Sequence, residues 1–312
     1  MISVATITPN PAVDVSTSVE RIVPTSKLRC TAARRDPGGG GINVARVIKR
    51  LGGDAIAIYP RGGATGHVLS QLVAREQIAS HGCKISEETR EDFSVEETST
   101  GQQYRFVLPG PALNESEWRA CLECLDRLES GPGFVVASGS LPPGVPADFY
   151  ARVGEISKSR NAKFVLDSSG KALATALARG VYLCKPNLRE LSELVGARLD
   201  DEASWIRASR GLVERGQAEI VALSLGHRGA LLATANVTLR AQPLPIVPVS
   251  SVGAGDSFLG GMIFGLAAGF ELAQAFRYAV AAGSSAVLNP GTELCHAADT
   301  VRLAARVVVE PL

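Results

Sequence analysis

Apolar and polar positions along this chain fall into two rhythms that take turns. The segment ISVATITP is an apolar run of strand length. In INVARVIKRLGG, the residues Ile42, Val44, Ala45, Val47, Ile48 and Leu51 recur near the helical period, and Gly52–Gly53 close the helix. DAIAIYP reads as a strand and GHVLSQLVAREQ as a helix. NESEWRACLECLDRLES opens with Asn114 and carries Glu117 three residues on, the signature of a capping box at a helix start. There follow the strand FVVASGS, a helix near 146–160, the strand KFVLDSS, a helix to Ala178, the strand VYLCKPN and the helix LRELSELV. Such alternation predicts an α/β fold with a mainly parallel sheet covered by helices on both faces.

Two stretches break the rhythm. Residues 12–36 and 91–108 alternate in polarity without a helical period. They predict a small separate β-sheet inserted into a single domain over 1–312, serving as a lid over a ligand or as a dimer surface. Plain edge hairpins would give the same pattern. The chain shows no repeat, low-complexity tract or interdomain linker.

Composition adds exclusions. Lys plus Arg number 32 against 31 Asp plus Glu, so no basic field calls for nucleic acid. The longest uncharged runs, near 257–270 and 278–292, are shorter than a membrane span and read as core helices. The first residues lack a basic leader region and read as a strand. The cysteines 30, 83, 121, 124, 184 and 295 are scattered, which fits reduced thiols and a cytoplasmic setting. Cys121 and Cys124 form one CxxC without a second pair, so packing explains them better than metal. The histidines 67, 81, 227 and 296 stand alone and read as surface or satisfied residues.

Chemistry concentrates in two glycine-rich starts of helices. In SSVGAGDSFLGG, Gly253 and Gly255 permit close backbone approach, and free N–H groups face outward at the first turn. Those groups and the helix dipole suit an anion such as phosphate. Asp256 in that turn is placed to take a proton from an attacking hydroxyl. In DPGGGGINVAR, the backbone can face a small polar ligand, and the Asn43 amide can bond hydroxyls. A tightly packed helix and a flexible linker are the plainer readings of these two segments. Patterns for a P-loop, GxGxxG, HExxH and GxSxG are absent.

Taken together, GGGGIN, SGSLPPG at 138–144, KPNLREL at 185–191 and VGAGD at 252–256 resemble the pfkB family of ribokinase-like carbohydrate kinases, in order and spacing along nearly the whole chain. KLRCTA, GGGGINVAR, GQQYRFVLPGPALNE, DSSG and GSSAVLNPGTELC are most similar to its minor ATP-dependent 6-phosphofructokinase subgroup. The resemblance implies a three-layer α/β/α sandwich with a small β lid. It implies Asp256 as catalytic base, with Gly253, Ala254 and Gly255 forming the anion hole. It implies Asp14, Gly39, Gly40, Gly41, Asn43 and Ser140 around the sugar, and Lys27, Arg90 and Arg105 on its phosphate, with Arg29 reaching across a dimer. A carboxylate accepting two hydroxyls is sound chemistry for Asp14. Lys27 and Arg29 are two apart and on a strand would share a face.

For ATP, the resemblance implies Lys185, Asn187, Ser224, Leu225, Gly226, Gly229 and Ser284. Glu190, in Asn187-Leu-Arg-Glu190, would serve Mg²⁺ through water. Ser250, Val252, Ala286, Asn289 and Gly291 match a site for a monovalent cation such as K⁺. Three positions depart from the wider family: SSV precedes GAGD, Gly40 stands where many relatives carry Lys, and Glu293 stands where a basic residue is expected. The implied reaction moves the γ-phosphoryl group of ATP to O1 of fructose 6-phosphate, in a homodimer joined through the lid. A kinase for fructose 1-phosphate or tagatose 6-phosphate, or a silent sugar-phosphate-binding protein, remain the alternatives.

Overall fold

The computed structural model describes residues 3–129 and 131–312. Its main sheet has ten strands: β1 (Val4–Ile7), β4 (Ala55–Arg61), β5 (Ala79–Lys84), β8 (Phe134–Ser138), β9 (Lys163–Asp167), β10 (Val181–Cys184), β11 (Ala218–Ser224), β12 (Ala230–Ala233), β13 (Thr238–Ala241) and β14 (Val309–Pro311). Their spatial order is β14-β13-β12-β11-β10-β9-β8-β1-β4-β5. The pairs from β5 to β11 are parallel and those from β11 to β14 antiparallel. The chain leaves β1 towards β4 and later returns to β8 on the other side of β1. That reversal opens a crevice at the carboxyl ends of β1 and β8, where open α/β sheets bind ligands.

Helices cover both faces. One face carries α1 (Gly40–Arg50), α2 (Gly63–Arg75), α8 (Ala254–Ala267), α9 (Leu272–Ala286) and α10 (Ala297–Ala304). The other carries α3 (Glu115–Asp126), α4 (Phe149–Ser159), α5 (Gly170–Leu177), α6 (Leu188–Val195) and α7 (Glu202–Glu214). The expected capping box at Asn114 and Glu117 is present, and Asn187 with Glu190 forms another. The uncharged runs near 257–270 and 278–292 lie largely in α8 and α9. No described helix is long and apolar enough to cross a membrane.

α8 is buried nearly all round, which requires small residues where its neighbours press close. A Cβ on Gly260 would stand 2.5 Å from Val47 Cγ1 on α1, and one on Gly261 would stand 2.8 Å from Ala282 Cβ on α9. The Gly260–Gly261 pair that ends SSVGAGDSFLGG thus sets how closely α8 seats against α1 and α9.

The two stretches that broke the rhythm form a separate four-stranded sheet, in the order β3 (Arg34–Gly38), β2 (Ala12–Val19), β6 (Arg90–Glu97), β7 (Gln102–Phe106). The expectation that Lys27 and Arg29 share a strand face is corrected: both are exposed in irregular chain between β2 and β3. Apolar residues of this segment such as Val23 and Leu28 are exposed and are not pinned against a layer. Cys121 is buried in α3, and the Cys124 and Cys83 sulfurs lie 3.4 Å apart. Among the described residues no cluster of three or more His, Cys, Asp or Glu is arranged to hold a metal ion.

Candidate active site

The loop before α8 turns on Gly253, whose φ of 74° lies in the left-handed region open to glycine. A Cβ there would also meet Leu294 Cδ2 at 2.5 Å. This turn leaves the amides of the first turn without carbonyl partners inside the helix, directed outward. Asp256 sits within that turn. Its Oδ2 accepts a hydrogen bond from Asn43 Nδ2 at 2.9 Å. Burial pushes its carboxyl up to about 6, with Asp167 adding to the shift, against the Asn43 hydrogen bond and the charges of Lys185 and Arg105.

Asn43 comes from the first turn of α1. The glycines before it are required by the protein's own packing. A Cβ on Gly40 would stand 2.1 Å from Ser138 Oγ at the end of β8, and one on Gly41 would stand 2.8 Å from the Ile7 carbonyl at the end of β1. Gly39 has φ 105° and lies beside Thr8 and Pro11. No lysine side chain fits at Gly40, which gives a physical reason for that departure from the wider family. Ser140 accepts a hydrogen bond from Asn10 Nδ2 at 3.2 Å.

Lys185 follows β10 and is buried. Its Nζ pairs with Asp167 Oδ1, at the end of β9, at 3.1 Å. Burial opposes its charge, but Asp167, Glu190 and Asp256 outweigh that cost and raise its pKa above the ordinary lysine value. A Cβ placed on Gly255 would lie 3.5 Å from this Nζ. The ammonium group therefore stands beside the free amides of α8. Asn187 Oδ1 accepts from the Glu190 amide, and Glu190 Oε2 accepts from the Asn187 amide, both at 2.9 Å. Burial raises the Glu190 pKa, opposed by the Asn187 amide and assisted by Asp167. The second carboxylate oxygen of Glu190 is outside that capping box.

Beside these groups opens a cavity of about 600 Å³. It brings together Lys185, Asn187, Ser224, Gly226, Gly229 and Ser284 with Ala254 and Gly255. The Ser224 amide donates to the Pro186 carbonyl at 3.1 Å, which ties the end of β11 to the Asn187 turn. Leu225 is buried and is not among the lining residues. Pro243, Leu244, Ile246, Phe258, Val280 and Val287 supply an apolar wall that the sequence reading did not identify, and His227 also faces the cavity. His227 is exposed, in keeping with its reading as a surface residue.

The small sheet lies beside the start of α1. Its register sets Asp36, Asp14 and Asp92 opposite one another on three neighbouring strands, so their side chains share one face. Asp36 pairs with Arg34 at 2.9 Å and with Arg46 at 3.5 Å, and Asp92 pairs with Arg90 at 3.2 Å. Asp14, between them, is pushed up to about 7 by burial and by Asp92, with Arg46, Arg105 and Arg90 opposing. A Cβ on Gly38 would fall 2.4 Å from the Asp14 carboxyl, so glycine there makes room for it. Arg90 also donates to the carbonyls of Leu108 and, at 3.0 Å, Asn10. Arg105 acts on both Asp14 and Asp256. Lys27 and Arg29 lie in solvent on the irregular segment.

The loops of the implied cation site converge. Val249 and Ser250 amides donate to the Val287 carbonyl at 2.7 and 3.2 Å, and Ser250 Oγ donates to Gly291 O at 2.9 Å. The Val252 amide donates to Ser250 Oγ at 3.2 Å, and the Asn289 amide to the Ala286 carbonyl at 3.1 Å. Glu293, unexpected from the wider family, pairs with Arg34 at 2.7 Å and with His296 at 2.9 Å. Sequence reading missed Asp167 and Arg46. Asp167 was legible as a carboxylate ending an apolar strand, and Arg46 as a charge among apolar residues on a helix.

A family model described as pfkB family carbohydrate kinase matches residues 7–299. ATP-dependent 6-phosphofructokinase isozyme 2 of Mycobacterium tuberculosis is 45% identical over 299 residues, covering 96% of this chain and 88% of that protein. The protein of the same name from Escherichia coli is 43% identical over 304 residues, covering 97% and 98%. A 1-phosphofructokinase of Bacillus subtilis is 34% identical over 290 residues, covering 92% and 94%. Among solved structures, Escherichia coli phosphofructokinase-2 with potassium superposes at a TM-score of 0.94 and 43% identity, covering 98% of this chain and 99% of that one. Its fructose 6-phosphate complex gives 0.93 at 42% identity, and its tetrameric inhibited form 0.92 at 42% identity, each with the same coverage.

Proposed function

Because the chain belongs to the pfkB family of carbohydrate kinases, we propose that it is an ATP-dependent 6-phosphofructokinase, moving the γ-phosphoryl group of ATP to O1 of fructose 6-phosphate. The observation that carries this reading is the partly buried Asp256 at the tip of α8. It has outward amides and Lys185 on the cavity side, and Asn43 and the Asp14 face of the small sheet on the other. The same constellation argues against a silent binding protein. The kinase of fructose 1-phosphate is the less similar relative.

In the reaction, Asp256 accepts the proton of the O1 hydroxyl as O1 attacks the γ-phosphorus. The bond to the bridging oxygen breaks, and ADP leaves with its electrons. A carboxylate raised to about 6 is still charged at neutral pH and is a better base than an exposed aspartate. The amides of Gly255 and its neighbours, with Lys185, stabilise charge on the transferring oxygens. Asp14 and Asn43 orient the sugar hydroxyls. Arg105, with Arg90, holds the sugar phosphate, and Lys27, which lies in solvent in this structure, would join them only by moving over the sugar. Each charge-assisted bond contributes about 1.5–3 kcal/mol.

A magnesium ion fits here, because Glu190 keeps one carboxylate oxygen outside its capping box, on the helix whose Asn187 lines the cavity, and the nucleotide supplies the remaining oxygens. Glu190 with Asn187 would hold it through water, and it would neutralise phosphate charge. A potassium ion fits the carbonyl-rich meeting of the 250–252 and 286–291 loops, where it would steady the turn before α8.

The small sheet is the proposed lid. Phe93, Phe106, Val107 and Leu108 are exposed on or just beyond its strands, which supports pairing with a second copy of the chain there, Arg29 reaching across. The unpaired cysteines fit a cytoplasmic setting.

ADP release measured with a panel of sugar phosphates, and product identity read by phosphorus NMR, test the reading. Turnover with fructose 6-phosphate giving the 1,6-bisphosphate is expected. Turnover confined to fructose 1-phosphate would overturn the substrate, and none with any sugar phosphate would overturn the activity.

A further inference from the structure

Arg46 is fully buried, yet it touches neither the cavity nor the Asp14 carboxyl directly. It lies one turn after Asn43 on α1, on the same side of the helix. Its Nε donates to Glu76 Oε1 at 3.0 Å, and its Nη1 donates to the Pro37 carbonyl at 3.0 Å and to Asn43 Oδ1 at 3.1 Å. Its Nη2 faces Asp36 at 3.5 Å and Glu76 at 2.8 Å. Two acidic partners on different elements hold the guanidinium in one place.

A guanidinium only donates, and an ionised carboxylate only accepts. An amide lying between the two has one orientation that satisfies both, with its oxygen towards Arg46 and its nitrogen towards Asp256. The observed bonds have that sense at both ends. The reversed amide would set oxygen against the carboxylate and nitrogen against the guanidinium.

We propose that Arg46 is a positioning residue for phosphoryl transfer: by fixing the Asn43 amide it fixes the orientation and ionisation of Asp256. This inference rests on Asp256 being the base. The charged groups around Asp256 are Asp167 from the end of β9, Lys185 after β10 and Arg105 from β7. Asn43 from α1 is the neutral neighbour, and its donated bond favours the charged carboxylate. Without the anchor the amide is free to turn, and that bond weakens.

The test is the pH dependence of kcat for Arg46→Lys, which keeps the charge beside Asp36 and Glu76 but loses the planar fork. A loss of kcat of roughly ten- to a hundredfold is expected, together with an acid limb moved to higher pH and little change in KM for ATP. Should Arg46→Lys not fold, the pair Arg46→Met with Glu76→Gln removes the ion pair while Asp36 keeps Arg34 as its partner, and it is read the same way. In an Asn43→Leu background, Arg46→Lys should move the limb no further. An acid limb unchanged in the folded variant, whatever happens to kcat or melting temperature, overturns the proposal, as does an additive shift in the Asn43→Leu background. A dead Asp256→Asn enzyme alongside an unmoved limb would refute this inference alone. An active Asp256→Asn would refute the underlying reading.

Discussion

Asn43 Nδ2 and Asp256 Oδ2 meet at 2.9 Å, joining the first turns of two helices 213 residues apart in sequence. The meeting depends on how closely α1 and α8 pack, and Gly260 sets that distance. In Gly260→Ala the new Cβ would overlap Val47, with α1 and α8 forced apart. We expect a loss of about 1–3 kcal/mol in stability, measured by urea unfolding, and a lower kcat in the folded variant. A fully active, equally stable Gly260→Ala would show that the spacing is not tight.

The two raised carboxylates give a pH dependence of definite sign. As the proposed base, Asp256 would act ionised, so kcat should fall as pH drops through about 6. Profiles taken at saturating substrates check this, and a flat profile down to pH 5 would contradict it.

Stability should respond in the opposite direction. Asp14 and Asp256 titrate higher in the folded chain than their ordinary 3.8, so the native state holds the proton more tightly than the unfolded one. Their contribution to stability is fully present below about 4 and is lost as pH rises through about 6 to 7. Asp14→Asn should therefore stabilise the free enzyme at pH 8 while impairing sugar binding. A gain of about 1 kcal/mol would raise Tm by roughly 2–4 °C. Scanning calorimetry at pH 5 and pH 8 should show the larger gain at the higher pH.

Gly38 makes room for Asp14, so Gly38→Ala should displace that carboxyl. The expected outcome is a rise of roughly ten- to a hundredfold in KM for fructose 6-phosphate, with KM for ATP little changed. Equal rises in both constants would mean that the Asp14 face does not read the sugar.

The exposed apolar residues of the small sheet predict an assembly. Phe106 is 54% exposed on the last strand. Phe106→Glu should shift sedimentation towards the monomer, whereas an unchanged sedimentation coefficient would place the interface elsewhere.

Much of this molecule was legible in the sequence because its signals are local. The β–α alternation, the capping box at Asn114 and the glycine-led start of α8 each follow from a few adjacent residues. The small sheet was visible as alternation without a helical period, but Lys27 and Arg29 were not placed correctly: Leu28, Cys30 and Ala32 alternate as in a strand, yet no strand forms there. Arg46 and Asp167 stood out only as lone charges in apolar segments, and their roles were not legible. Their charged partners, Glu76 and Lys185, lie on other elements, and no spacing in the chain announces a three-dimensional charge pair. The apolar wall at Pro243, Leu244 and Ile246 lay in a segment without periodicity.

The most direct test of the central claim is kcat of Asp256→Asn with MgATP and fructose 6-phosphate, in a protein whose melting curve matches the parent's. The account predicts a loss of about 10²–10⁴-fold from the missing base, with both substrates still bound. A folded Asp256→Asn enzyme turning over at the parent's rate would contradict it.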